Sequence, residues 1–395
     1  MPDITDNILR EVSTLQSSMI RSFDREVSSI DGILKLTLGE PDFDTPAQIT
    51  QAACKSLAEG HTHYAPNAGT EGLRKAITRY LKRRRDLVYS PRQIIVTLGA
   101  SEALSSILGG LLDSDTTLLY PEPAFNLYRT MAILSNAEPY PIDTSHSDFK
   151  ITPEALDNAL LDVRRRGRKP IVTINYPNNP TGVALNSAEL RKLSEVIKEH
   201  DALVISDEVY AEIHFGEPSN DICTADSIAR YIPDRTILVD STSKTFAMTG
   251  WRVGYFAAPE PLAALLGKVH QARVSTAATF CQDAAEEGYL HCDKNIEGMV
   301  QAYRERRDYL FNALTDLKFD IASPDGAFYL YTRIPDSFTG SGIDFARTLA
   351  RQAKVAAIPG EAFVSGPSRH IRFSYAASMS ELHEAVRRIS RWLHQ

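Results

Sequence analysis

Apolar residues recur along this chain in two periods, and the switch between them sets out its architecture. Short runs rich in β-branched residues, IIVTL at 94–98, TLLY at 117–120, IVTIN at 171–175, ALVIS at 202–206 and TILVD at 236–240, alternate with stretches patterned as amphipathic helices. That alternation predicts βαβ units and an α/β lobe with a mainly parallel sheet flanked by helices. Ahead of it, Thr45-Pro46 places a cap and a helix-starting proline before AQITQAACKSLAEG, where Gly60 is a stop signal. After Pro261 the pattern becomes mostly helical, with a long charged amphipathic stretch over 295–317 suited to bridging two lobes. Strand candidates return at AFYLYTRI, VAAI and HIRFSY, interleaved with helical segments at 345–352 and 380–392. The expectation is a large lobe over 45–290 and a smaller α+β lobe built from 1–44 and 291–395, because the first helix and the ILKLTL strand lie outside the main alternation.

Composition narrows the function classes. A chain of 395 residues with 43% hydrophobic and 24% charged positions suits two packed lobes rather than a disordered or fibrous protein. Its net charge of -7 would repel a phosphate backbone, which argues against nucleic acid as a partner. Basic runs at 82–85 and 164–169 each end a helical pattern, where cations complement the helix dipole. The N-terminus lacks the apolar stretch of a secretory signal, and the longest apolar runs fall far short of a membrane span, so a cytoplasmic protein is expected. Cys54, Cys223, Cys281 and Cys292 show no C-x-x-C spacing, so neither a metal site nor a redox pair is indicated. No G-x-G-x-x-G follows a strand candidate, which disfavours a nicotinamide dehydrogenase.

In an open parallel sheet, ligands sit beyond the carboxyl ends of the strands, so the residues following each run come first. Gly99-Ala100-Ser101 leads into the helical pattern SEALSSILGGLL, a helix start whose N–H groups and hydroxyl can take a phosphate, or where Ser101 simply caps the helix. The turn 176–182, YPNNPTG, can aim the Asn179 side chain. Asp207 and Tyr210 follow ALVIS, and Asp207 alone would serve equally as a helix cap. Ser241, Lys244 and Arg252 converge after TILVD. A lone lysine is nearly always a solvated group. Joint occurrence changes the weighting, since a Schiff-base lysine, an acid for a pyridine nitrogen and a phosphate cradle are the parts that pyridoxal phosphate requires.

The segments ASEAL, NYPNNPTG, SDEVY and STSKTFAMTGWRVGY resemble those of the class I and II pyridoxal phosphate aminotransferases of fold type I, and the similarity runs from LTLGEPDF at 36–43 to RFSY at 372–375. The resemblance implies that Lys244 forms the internal aldimine and that Asp207 keeps the pyridine nitrogen protonated. It places Asn179 and Tyr210 on the cofactor's ring oxygen, and Ser101, Ser241, Arg252 and the Ala100 backbone on its phosphate. Phe125 matches the ring that stacks on the pyridine, where the family often has tyrosine or tryptophan. Tyr64 matches the tyrosine that reaches the neighbouring subunit's cofactor phosphate, which implies a homodimer with shared active sites. Arg372 resembles the arginine that grips the substrate carboxylate, otherwise a strand-edge ion pair, and Gly39 would let the backbone approach the substrate, otherwise an ordinary turn.

The implied reaction moves an amino group from an L-amino acid to a 2-oxo acid, 2-oxoglutarate being the expected acceptor, with Lys244 as general base once its pKa is brought below the usual value of about 10.4. The N-terminal segment and PDGAFYLY look similar to bacterial aminotransferases for aromatic amino acids or N-acetyl-diaminopimelate, with aspartate as the alternative donor. A pyridoxal phosphate C–S lyase uses the same scaffold, and a non-catalytic ligand-binding protein would share the motifs too. A hydrolase with Ser101 on a nucleophile elbow lacks the final glycine and leaves Lys244 and Arg252 without a role.

Overall fold

The computed structural model describes residues 4–15, 17–216 and 223–394. A two-residue strand, β1 (Leu34–Lys35), precedes a seven-stranded sheet made of β2 (Ile94–Thr97), β3 (Thr116–Glu122), β4 (Glu138–Asp143), β5 (Lys169–Asn175), β6 (Leu203–Asp207), β7 (Thr236–Ser241) and β8 (Gly254–Ala257), in the order β2-β8-β7-β6-β5-β3-β4. All pairings are parallel except those of β8, which runs against both β7 and β2. The central strands are buried on both faces, which is why they read as continuous apolar runs. Two strands of this sheet escaped the sequence pattern. β4, EPYPID, carries two prolines and stands at the sheet edge, where missing N–H donors cost little. β8, GYFA, is only four residues long and lies inside the segment that carries the lysine motif.

The remaining strands form a separate antiparallel sheet, with β9 (Asp320–Ile321), β10 (Tyr329–Arg333), β12 (Ile358–Pro359) and β13 (His370–Ser374) in the order β12-β13-β10-β9. The strand β11 (Val355–Ala356) pairs in parallel with β1 instead. The expected ILKLTL strand is therefore cut to two residues, though Leu36 continues bonding, its N–H to Ala356 and its carbonyl to Ser374. The helix expected over 345–352 is an α-helix over Gly342–Thr348 that widens into a π-turn over Leu349–Ala353. The long amphipathic stretch is the 24-residue helix Asp293–Asp316, which buries Ile296, Met299, Val300, Tyr303, Leu310 and Leu314. No described helix is long and apolar enough to cross a membrane.

The basic run at 82–85 corrects a sequence expectation. It does end a helix, Glu71–Arg85, started by Thr70, whose hydroxyl accepts the Leu73 N–H at 3.3 Å. Arg84 and Arg85 are not solvated cations at a helix terminus, however. Both are buried, Arg84 against Glu212 at 2.8 Å and Arg85 between Glu208 and Asp240. Charge pattern within one helix carries no signal for this, because the acids come from segments more than 120 residues away.

Candidate active site

Register brings the reactive strand ends to one rim. Asn175 pairs with Asp207 across β5 and β6, while Ser241 and Thr97 both pair with Gly254 on β8. A cavity of about 240 Å³ opens there, between this rim and the antiparallel sheet. It is lined by Gly39, Ala100, Ser101, Phe125, Asn179, Asp207, Tyr210, Ser241, Lys244, Arg252 and Arg372, so the structure brings together every residue singled out from the sequence except Tyr64. Tyr64 stands apart, 91% exposed.

One end of the cavity is built to receive an anion. The helix Ala100–Leu111 starts at Gly99, which has φ +77 and no side chain to cap the first N–H groups. Ser101 thus sits inside the first turn and is not the cap. A Cβ at Gly99 would stand 2.7 Å from Arg252 Nη2, so glycine is what allows the guanidinium to lie over the helix start. Arg252 holds a left-handed backbone, φ 55, and donates to the Thr249 and Leu98 carbonyls at 2.9 and 3.3 Å. Glu102 takes the Leu98 N–H at 3.1 Å and pairs with buried His270 at 3.0 Å, which ties down the loop before the helix. Uncapped N–H groups, the helix dipole, a fork of donors and the Ser101 and Ser241 hydroxyls suit a phosphate.

The middle of the cavity holds an acid and an amine. Asp207 ends β6 and is buried; it accepts from the Tyr128 phenol at 2.6 Å and the Val209 N–H at 3.4 Å. Burial pushes its carboxyl up to about 6, against the pull of those two donors. Lys244 lies in the short helix Thr242–Thr245, whose cap is the Ser241 side chain, and its Nζ donates to the Gly39 carbonyl at 2.5 Å. Burial brings its amine down to about 8; Glu40 opposes this, while Arg252 and Arg372 add to it. A lysine near 8 is neutral for a useful fraction of the time at ordinary pH, as a base or nucleophile must be.

At the other end, Arg372 on β13 is 1% exposed. It donates to Asn179 Oδ1 at 2.7 Å and to the Thr37 carbonyl at 3.0 Å, while its Nε has no partner. Its guanidinium lies over the rings of Tyr329 and Phe363, and burial works against its charge. Asn179 is aimed from the turn by Asn175, whose Oδ1 accepts the Asn179 N–H at 3.0 Å and whose amide reaches the Asp207 carbonyl at 2.9 Å. The Tyr210 and Tyr329 hydroxyls lie 2.8 Å apart.

Among the residues at the site that were not read from the sequence are Asn175, Tyr128, Tyr329 and Ile20. The strand-end rule could have found Asn175, the last residue of IVTIN. Tyr128 had a weaker signal, three residues beyond Phe125 in the first turn of the helix Leu127–Leu134. Tyr329 and Ile20 come from segments legible only as a strand and a helix, and their place depends on how the two sheets meet.

Comparison with known proteins agrees with this geometry. The family described as aminotransferase class I and II matches residues 31–389. A probable N-acetyl-LL-diaminopimelate aminotransferase of Bacillus subtilis is 35% identical over 95% of this chain and 93% of its own length. An aromatic-amino-acid aminotransferase of Thermococcus litoralis is 33% identical over 96% of each. Among solved structures, the aspartate aminotransferase of Thermus thermophilus superposes with a TM-score of 0.90 at 30% identity, over 98% of this chain and 99% of that one. With the family matched over nearly the whole chain and full-length relatives above 30% identity, this enzyme belongs to the class I and II aminotransferases.

Proposed function

We propose that the cavity binds pyridoxal phosphate on Lys244 and transfers an amino group from an L-amino acid to a 2-oxo acid. The observation that carries this is the convergence of an amine near 8, a buried carboxylate and an uncapped helix start on one cavity of about 240 Å³. The residues fit the group: Gly99 leaves room for an anion under Arg252, and Asp207 is an acid whose partners are a phenol and an amide. When bound, pyridoxal phosphate supplies a ring that accepts the electron pair released as the substrate loses its α-proton.

The chain's own residues then divide the work. Ala100 N–H, Ser101, Ser241 and Arg252 bind the phosphate; Tyr64 reaches the phosphate of the partner's cofactor across a homodimer. Phe125 packs on the ring, and its edge-on contact with Tyr128, 6.0 Å between centroids, keeps it upright. Asp207 holds a proton on the pyridine nitrogen, while Asn179 and Tyr210 hydrogen-bond the ring oxygen. Arg372 takes the substrate carboxylate as a two-pronged pair. Lys244 would be the base that takes the proton at the substrate's Cα, with the Gly39 carbonyl steadying its Nζ. A division into a cofactor lobe over 45–290 and a smaller lobe from 1–44 and 291–395 suits this arrangement.

For the donor, Ile20, Leu104, Phe125 and Tyr329 offer apolar surface, which favours an aromatic amino acid or the long chain of N-acetyl-diaminopimelate over aspartate. The acceptor is 2-oxoglutarate. The test has two parts. Lys244→Ala should lose the absorbance of the lysine-bound cofactor and all turnover, and full activity in that variant refutes the assignment. A panel of amino donors with 2-oxoglutarate should then rank aromatic amino acids and N-acetyl-diaminopimelate above aspartate; pyruvate and ammonia released from cystathionine without an acceptor would indicate a lyase instead.

A further inference from the structure

Tyr329 opens β10, is fully buried and lines the cavity, and two parts of its side chain meet two different functional groups. Its hydroxyl lies 2.8 Å from that of Tyr210. Its ring lies under the Arg372 guanidinium, 4.2 Å from Cζ to the ring centre. Phe328, with ring centres 4.8 Å apart, and Tyr210, at 5.7 Å and 75°, hold the ring in place. Gly39 makes room for the hydroxyl, since a Cβ there would stand 3.2 Å from it.

We infer that Tyr329 is a positioning residue with two separable duties: its hydroxyl donates to Tyr210, so that Tyr210 donates to the cofactor's ring oxygen, and its ring is the shelf that holds Arg372 for the substrate carboxylate. The inference rests on the function proposed above and deepens it. A phenol has a single O–H proton. Once Tyr210 commits that proton to a ligand oxygen, its own oxygen can only accept, and Tyr329 is the donor within reach. Arg372 favours this direction, because a cation over the ring face draws electron density from it and strengthens the O–H as a donor. Burial raises both phenols, but Arg372 is the leading counterweight at Tyr329, whereas Tyr210 stays well above the usual value.

Two substitutions separate the duties. Tyr329→Phe keeps the ring and deletes the hydroxyl; Tyr329→Leu deletes both. The readouts are the spectrophotometric titration of cofactor bound to Lys244 and the binding of 3-phenylpropanoate, a carboxylate with no amino group. The Phe variant should titrate about half a unit higher, because an oxygen with a weaker donor carries negative charge less readily. It should bind 3-phenylpropanoate like the wild type. The Leu variant should show the same shift and bind about tenfold more weakly. In the double variant Tyr210→Phe/Tyr329→Phe the titration should move no further than in Tyr210→Phe alone, since Tyr329 acts through Tyr210. A merely structural tyrosine would not produce that non-additivity. A Phe variant that titrates like the wild type, or shifts that add, overturns the relay; wild-type affinity in the Leu variant overturns the shelf. If borohydride cannot trap pyridoxal phosphate on Lys244 of the wild type, the proposed function falls and takes this inference with it, and that failure appears before any change at Tyr329.

Discussion

Asp207 and Glu208 are neighbours in the chain, both acidic and both buried, yet they live in opposite electrostatic settings. Glu208 faces away from the cavity, where Ser206 and Ser227 donate to one oxygen at 2.6 and 2.7 Å and Arg85 pairs with the other. Arg85 also faces Asp240, 3.8 Å away, a carboxyl that burial raises to about 8 against the pull of Arg85. Asp207 faces the cavity, and among the described residues its partners are a phenol and an amide, with no basic group. A buried carboxylate that serves the fold brings its own cation, because an unpaired one is too costly. One that serves a ligand is left without, and the ligand's cation completes it. Asp207 ends β6, and Glu208 continues the extended chain with its N–H on the Val239 carbonyl at 2.8 Å, so alternation turns the two adjacent acids to opposite faces and so to opposite tasks.

The largest effect expected from breaking this contrast lies on the structural side. Arg85→Met leaves Glu208 and Asp240 facing each other without a cation, and should lower stability by about 3–5 kcal/mol, read as a fall in the urea midpoint. Cofactor absorbance in the protein that remains folded should be retained. On the cavity side the pattern reverses. Asp207→Asn removes an uncompensated charge, so the apoprotein should lose no stability, while turnover drops about 10²–10³-fold through loss of the charge opposite the pyridine nitrogen. Equal losses of stability in the two variants would erase the distinction.

A smaller effect is a pH dependence confined to the cavity acid. The folded carboxyl of Asp207 titrates near 6 against an ordinary 3.8, so the folded apoprotein holds this proton more tightly than the unfolded chain does. Its contribution to stability therefore falls as pH rises from about 4 to about 6 and is level above. Cofactor affinity should run the other way, rising through pH 6 as the carboxylate becomes available to a pyridinium. Calorimetric titration of the apoprotein with pyridoxal phosphate between pH 5 and 8 checks this, and a flat profile would remove Asp207 from the nitrogen.

The parts of the site legible in the sequence are those built from short contiguous segments. Ser241 ends β7, with Lys244 and Arg252 in the segment that joins it to β8, and Asp207 ends β6, with Tyr210 three residues on, so strand periodicity alone put them on a common rim. The parallel core of the sheet was legible for the same reason, since strands buried on both faces write continuous apolar runs. What stayed hidden depends on pairing between distant segments. Arg84 and Arg85 looked like helix-end cations because their acids lie at 208, 212 and 240. Tyr329 looked like any strand aromatic because Tyr210 is 119 residues away. Neither local propensity nor charge pattern carries such contacts.

Tyr128 gives the smallest and sharpest test, because it touches only the cavity acid's side of the contrast. Burial drives its phenol well above the usual value, with Asp207 reinforcing that, so it is a donor and never a competing charge. Its hydrogen bond, 2.6 Å long, favours the ionised form of Asp207 and partly offsets burial. Tyr128→Phe keeps the ring and its edge-on contact with Phe125, so stacking over the cofactor should survive. Without the donor, ionised Asp207 loses about 1 kcal/mol, and the pH edge in cofactor affinity should move up from 6 by roughly one unit. At pH 8 both proteins then bind the cofactor alike, whereas at pH 6 the variant binds about fivefold more weakly. An unmoved edge would mean that burial and the Val209 N–H set the acid without the phenol, and that the pairing of a phenol with a cation-free carboxylate is packing rather than tuning.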